Sequence, residues 1–442
     1  MWKELRGEFK MKRAFIKDIK LGEVNKVAGF VENIRNKKWM AFIVIRDVTG
    51  KLQITIEKEK HPEMVEDIDR LTIDSVVTFE GLCVASEYVK LNGMEMYPDK
   101  LHVESIAAPS PILAPKGEET NIDQRIDYRW IDLRTEKNNL MFRAQSLFIN
   151  KVREFLLDKN FTEIHSPKLI GAESESGAGV FEVGYFDGKA YLAQSPQFYK
   201  QMAMASGFER IFESGPVFRA EKFASRKHAT EFTGFDLEFS YIESYEDVMV
   251  MEEEMITYAL KAVKDKLGDE IKRVFDIDVI VPTLPFPRIK LHDLYDELER
   301  MYGYSVPEEE KGDLTTEGER LVAKYSMDKY GHEFLFVTDY SVDCRAFYHM
   351  RKDGIPQGYD LIWKGCEITT GAQREHRYDI LKAQAEEKGL VEDVKFYLEF
   401  FKYGCPPHGG FGIGVDRMTM LLFNVGIKEA MYIFRGPDRL NP

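Results

Sequence analysis

A guanidinium beside a loop of cationic and imidazole donors can bracket a polyphosphate, and this chain carries such a run. Phe218-Arg219-Ala220-Glu221 is followed by Arg226-Lys227-His228 and then by Phe232, whose ring can stack on a base. A solvated charged hairpin is the competing reading of the same residues. A second run, Glu367-Ile368-Thr369-Thr370-Gly371-Ala372-Gln373-Arg374, joins hard oxygen donors to a planar cation. Glu367 and Thr370 suit Mg2+ held together with phosphates, and Arg374 suits a carboxylate. A surface strand laced with ion pairs is the alternative. The third run, Gly409-Gly410-Phe411-Gly412-Ile413-Gly414-Val415-Asp416-Arg417, lacks the GxGxxG spacing of a dinucleotide fingerprint. Alternate glycines along a strand leave a flat surface for a planar ligand, with Arg417 at a helix start to reach a phosphate. Tight strand packing accounts for the glycines equally well.

These clusters cooperate only if a fold gathers them. Beyond residue 110 the pattern is mixed, with helices and mainly antiparallel strands. Asn139–Lys159 repeats apolar residues at helical spacing, from Leu140 and Phe142 to Phe155 and Leu156. Residues 161–166 read as extended before Pro167, and 171–179 as a mobile glycine-rich loop. Strands are expected at 211–219 and 232–241, flanking the charged stretch 220–231, and a helix at 248–267. Residues 268–330 are charged and show no catalytic signature. Strands follow at 334–339, 359–364, 366–370 and 409–414, and helices at 378–388, 392–403 and 416–423. The class is α+β.

The first 108 residues are β-rich. Strands are expected at 27–31, 40–46, 51–57, 76–85 and 100–106, with a helix at 62–71. Five short strands in this length suit a small barrel such as an OB-fold. Pro109-Ser110-Pro111-Ile112-Leu113-Ala114-Pro115 is a stiff, extended connector. The expected division is 1–108, a hinge at 109–133 and a larger domain at 134–442.

Composition narrows the class further. The chain has 442 residues, of which 44% are hydrophobic and 31% charged, with a net charge of −14. That describes a globular protein rather than a disordered or fibrous one. No apolar run reaches the ~18 residues needed to cross a bilayer. The first residues, MWKELRGEFKMKRAF, have no signal-peptide pattern. The cysteines, Cys83, Cys344, Cys366 and Cys405, are scattered without a CxxC, which suits a reducing cytoplasm. Net acidity argues against a nucleic-acid coat protein but leaves room for a basic groove.

Taken together, the order of helix, strand and Pro167, then FRAE, then GIGVDR resembles the class II aminoacyl-tRNA synthetases. QSPQFYKQ (Gln194–Gln201), RIDYRWIDLR (Arg125–Arg134), FTGFDLEF (Phe232–Phe239) and TTGAQREHR (Thr369–Arg377) resemble the aspartyl branch in its archaeal and eukaryotic form, without the large bacterial insertion. The resemblance implies an antiparallel sheet flanked by helices, with the OB-fold binding the anticodon, and a homodimer built on the helix before Pro167.

It also implies roles. Lys200 and Arg374 take the side-chain carboxylate of aspartate, and Ser195, Gln197 and Glu175 its ammonium end. An unpaired buried ammonium is costly, so Lys200 disfavours asparagine. Arg219 touches the α-phosphate and the aspartate carboxylate; Arg219 and Arg417 are the catalytic pair. Glu221 reads the adenine amine, and Phe232 and Arg417 sandwich the ring beside Gly414. Lys227 and His228 hold the outer phosphates, and Glu367 and Thr370 bind Mg2+. Phe42 and Gln53 read the anticodon of tRNA-Asp.

Several positions depart from the family pattern. Lys227 replaces arginine, Asp416 glutamate and Thr370 serine. Ser176 replaces a glycine, Asp339-Tyr340-Ser341 replaces Lys-Tyr-Pro, and Ala346 replaces proline. Phe30, after Gly29, stands where discriminating relatives have tryptophan, and Gly81–Ser86 holds no lysine. The last two suggest that tRNA-Asn is charged as well as tRNA-Asp, with Arg35 or Lys37 as other sources of the contact. An asparagine–tRNA ligase, and a paralogue that activates aspartate without charging tRNA, are the alternatives.

Overall fold

A computed structural model describes residues 11–112, 120–171, 179–220 and 226–441. The chain separates into two compact units, Met1–Thr120 and Asn121–Pro442.

The first unit is a closed five-stranded barrel in the order β1-β2-β3-β5-β4. Its strands are β1 (Val24–Asn36), β2 (Met40–Arg46), β3 (Lys51–Glu57), β4 (Val76–Ala85) and β5 (Met94–Ser105). Strict alternation builds the core. In β2, Ala41, Ile43 and Ile45 are buried while Phe42, Val44 and Arg46 face outward. The first strand is much longer than its apolar stretch, because it bends at a bulge between Val31 and Asn33 and pairs with both β2 and β4.

The second unit is built on an eight-stranded sheet. Its strands are β6 (Thr162–Glu163), β7 (Arg210–Phe218), β8 (Glu231–Ser240), β9 (Arg288–Lys290), β10 (Phe334–Thr338), β11 (Gly358–Trp363), β12 (Cys366–Arg374) and β13 (His408–Gly414). Their order is β9-β10-β11-β12-β13-β8-β7-β6. The centre is antiparallel and the two edge pairings are parallel. Helices α1 (Glu136–Asp158), α2 (Gln197–Ala205), α3 (Tyr245–Phe275), α4 (Leu291–Tyr302), α5 (Thr316–Tyr330) and α6 (Val415–Phe423) accompany the sheet. One sheet face, carrying Phe235, Leu237, Phe411 and Ile413, packs with Leu140, Ala144 and Phe148 of α1 and Met255, Ile256 and Leu260 of α3.

Strand β5 begins at Met94, six residues before its expected start, and two further boundaries differ for identifiable reasons. Helix α3 begins earlier, in a capping box between Ser244 and Asp247, and runs to Asp276 in the left-handed conformation. The expected hinge at 109–133 is helical from Ile122 to Asp127 and from Arg129 to Asp132. Arg129 is buried there, donating to the carbonyls of Glu429, Met431 and Tyr432. That segment therefore belongs to the larger unit.

Candidate active site

Strand register assembles the three clusters on the sheet face opposite α1 and α3. One row across the strands reads Glu213, Asp236, Gly412, Thr370 and Asp360. The next row on that face includes Glu238, Gly410 and Ala372.

The glycines of the third cluster have a different use from the one expected. A Cβ on Gly410 would overlap the Leu237 carbonyl oxygen and Glu238 Oε2, and one on Gly412 would lie 2.7 Å from Asp236 Oδ1. These glycines make room for two carboxylates on β8 rather than a bare floor for a planar ligand. At Gly414 the nearest atoms to a Cβ belong to Arg417, 3.6 Å away.

Lys200 and Arg374 converge on those carboxylates. Lys200, 1% exposed, reaches from α2 to Asp236 Oδ1 at 2.9 Å and Glu238 Oε2 at 3.5 Å. Arg374, equally buried on β12, donates its Nε to Glu238 at 3.0 Å and its Nη2 to the Gly410 carbonyl at 2.9 Å. Burial alone would raise the Glu238 carboxyl, but Arg374 and Lys200 outweigh it and hold it below its ordinary value. Two imidazoles line the same place. Burial pushes His349 well down and His408 to about 4, so neither adds charge near neutral pH. Gln197 donates to Gln201 at 2.8 Å, which turns its carbonyl oxygen toward other donors. Ser195 Oγ accepts the Gln197 backbone N–H at 3.1 Å, at the start of α2.

Arg219 leaves the end of β7, and Phe232 lies near the start of β8. The guanidinium sits 5.4 Å from the Phe232 ring centroid. Its Nε is buried with no hydrogen-bond partner among the described residues, a donor left for an anion. Lys227 is ion-paired with Glu319 at 2.7 Å, and His228 follows it. Glu175, Ser176 and Glu221 lie outside the described residues.

The Glu367 and Thr370 oxygens stand together. Thr370 Oγ1 lies 3.3 Å from Glu367 Oε1 and donates to Asp360 Oδ1 at 2.8 Å. Arg345 clamps Asp360 through two bonds of 3.0 and 2.7 Å, and stacks at 3.7 Å on Tyr340. Arg417 Nη1 donates to the Glu367 carbonyl at 2.8 Å. Crowding by the protein and by Asp360 raises the Glu367 carboxyl above its ordinary value, although 37% of its side chain is open. Two carboxylates and a hydroxyl fit Mg2+, which takes few protein ligands and completes its shell with water and phosphate oxygens. Behind this face, buried Glu252 of α3 accepts from Tyr359 and Thr369 on adjacent strands, and burial pushes its carboxyl to about 8. Asp416 accepts the Thr233 N–H at 2.9 Å and ties α6 to β8.

Asp236, Glu238 and Asp360 were missed by sequence reading. Their signal was present as alternate acids in FTGFDLEF and one acid in the strand after Gly358, but only register shows which neighbours they meet.

In the barrel, Phe42 and Gln53 lie on the outward face of adjacent strands. Phe42 pairs with Thr55 and Val44 with Gln53. Arg35 stacks on Phe42 at 5.6 Å, and Gln53 donates to Thr55 at 3.2 Å. Phe30 pairs with Val76, whereas Leu82 pairs with Val24, six positions along β1. At ~3.3 Å per residue the two positions stand ~20 Å apart along the strand. The cation beside Phe30 is Arg46, at 5.2 Å.

Known proteins with these features have a consistent identity. Residues 121–433 match the family model described as tRNA synthetases class II (D, K and N), and 26–104 match an OB-fold nucleic acid binding domain. An aspartate–tRNA(Asp/Asn) ligase of Methanopyrus kandleri is 39% identical over 428 residues, covering 95% of this chain and 96% of that protein. An aspartate–tRNA(Asp) ligase of Pyrococcus abyssi is also 39% identical, covering 95% and 97%. The asparaginyl-tRNA synthetase of Pyrococcus horikoshii, solved with asparaginyl-adenylate, superimposes with a TM-score of 0.89 at 31% identity over 98% and 100% of the two chains.

Proposed function

Since the chain belongs to the class II tRNA synthetases of the D, K and N group, we propose that it is an aspartate–tRNA ligase. It is a ligase that couples ATP to the charging of tRNA, with an OB-fold for the anticodon. The observation that carries aspartate is the charge at the pocket floor. Lys200 and Arg374 face Asp236 and Glu238 there, while Arg219 stands over the Phe232 ring. The side-chain carboxylate of aspartate can accept charged hydrogen bonds from both cations. An asparagine amide offers one uncharged accepting oxygen in place of two charged ones, so it pairs with them more weakly.

The attacking group is the α-carboxylate, ionised at neutral pH, so activation needs no general base. It forms a bond to the α-phosphorus as the bond to the pyrophosphate oxygen breaks. Arg219 neutralises the charge that grows on the α-phosphate, and Phe232 with Arg417 fixes the adenine. Lys200 and Arg374 hold the side-chain carboxylate. Ser195, Gln197 and Asp236 take the ammonium, together with Glu175; Glu221 meets the adenine amine. Glu367, Thr370 and Asp360 would hold Mg2+, which screens phosphate charge when bound. A hydroxyl at the 3′ end of tRNA then attacks the aspartyl carbonyl, and AMP leaves.

Phe42 stacks on an anticodon base and Gln53 reads its edge, with stacking worth ~1–3 kcal/mol per base. We place the enzyme in the cytoplasm. No helix among the described residues is long and apolar enough to cross a membrane, and the four cysteines are free thiols.

The deciding experiment charges purified tRNA-Asp and tRNA-Asn side by side with aspartate. Aspartylation of both is expected, with kcat/KM values less than about a hundredfold apart. No lysine lies in Gly81–Ser86 to supply a base contact worth ~1–3 kcal/mol of discrimination. A larger preference for tRNA-Asp would overturn the relaxed reading. Charging with asparagine alone would overturn the aspartate reading.

A homodimer is part of the same proposal. Phe142 and Leu147 of α1 line a groove of about 610 Å³ with Leu267 of α3 and Tyr432. Light scattering at micromolar concentration should give twice the chain mass, 51.2 kDa; a stable monomer would refute it.

A further inference from the structure

Residues 268–330 supply a carboxylate to the nucleotide end of the site. Helix α5 starts at Thr316, with Thr315 Oγ1 accepting the Gly318 N–H at 2.8 Å. Its inner face, Val322 and Tyr325, packs with Leu335, Val337 and Ile362. Between β11 and β12 the chain turns through Gly365, whose φ is +78°. A Cβ there would stand 3.2 Å from Arg320 Cα and 3.3 Å from the Glu319 carbonyl oxygen. The turn that leads into Glu367 therefore presses against the backbone of α5 at Glu319. The helix is fixed to the site strands at that point.

From this anchored position Glu319 forms the 2.7 Å ion pair with Lys227, the two side chains being 13% and 26% exposed. Gly365, which touches α5 at Glu319, stands two residues before Glu367 in the chain. Through Glu319, Lys227 is thus held beside the turn that leads into Glu367.

We infer that Glu319 is a positioning residue for nucleotide binding: it holds the Lys227 ammonium in place, so that the outer phosphates of ATP meet an ordered cation. The inference rests on the reading of Lys227 as a phosphate ligand. An arginine carries a planar, pre-organised fork, whereas a lysine is a point charge on a flexible stem and gains more from an external anchor. An ammonium has three donors, so one can stay with Glu319 while others turn to phosphate.

Steady-state ATP–pyrophosphate exchange on the full chain tests this, with Lys227→Ala, Glu319→Gln, the double variant and Glu317→Gln as a control from the same turn. Glu319→Gln should raise the KM for ATP about three- to tenfold, as a modest pair coupling predicts. The KM for aspartate and kcat should stay within about twofold, and the control should be unchanged. In the Lys227→Ala background the Glu319 change should add nothing. A normal ATP KM in Lys227→Ala would remove the phosphate role of Lys227 and the inference with it. A raised KM in Lys227→Ala beside an unchanged or lowered KM in Glu319→Gln would overturn the inference alone, the lowered value marking Glu319 as a competitor for the cation. An equal Glu319 effect with and without Lys227 would also overturn it.

Discussion

Lys200→Ala should lower kcat/KM for aspartate by roughly a hundred- to several thousandfold while moving the KM for ATP only a few-fold. The side chain is buried between Asp236 and Glu238, and breaking such a pair costs about 3–5 kcal/mol, at ~1.4 kcal/mol per decade. Removing it leaves two carboxylates beside the place where the substrate carboxylate must sit. Arg374 still holds Glu238, so the sheet should keep its form. Circular dichroism of the variant separates a lost pocket from a lost fold, and Lys200→Met preserves more of the buried volume. Ordinary aspartate kinetics in a folded variant would sink the pocket assignment.

Arg219→Ala should slow adenylate formation by about 10²–10³ at saturating ATP and aspartate, the range seen when one preorganised transition-state donor is removed. The buried, unpartnered Nε and the ring of Phe232 beneath the guanidinium fix where this charge points. Arg219→Lys should recover little, since an ammonium cannot reproduce the planar fork. Single-turnover formation of aspartyl-adenylate measures the step directly. A loss smaller than about fivefold would remove Arg219 from the chemistry.

What was legible in the sequence was whatever lay in contiguous runs. QSPQFYK is one contiguous run whose Gln197 and Lys200 share the first turn of α2, so the two could be assigned together. The barrel strands were legible because alternation in β2 and β3 is strict. The partners of Lys200 were not, because Asp236 and Glu238 reach it only through pairing of β8 with β13. Asp360 was hidden for the same reason: its place beside Thr370 is a register fact. Residues 268–330 looked featureless because their exposed faces are charged. The apolar side of α4, Leu291, Leu294 and Leu298, is spaced for a helix but says nothing of which strands it covers. The flat-surface reading of the glycines failed in one respect. Spacing showed that room was needed there, and could not show that protein carboxylates fill it.

Those glycines set a limit on how the ligand can be changed by substitution. Any side chain at Gly410 drives into the Leu237 carbonyl and Glu238, and any at Gly412 into Asp236. The floor can be neither raised nor recoloured from β13 without dislodging the acids that hold Lys200 and Arg374. New amino-acid selectivity has to be written in the residues around the floor, and the central strand is a fixed template on which the two cations are the variable letters.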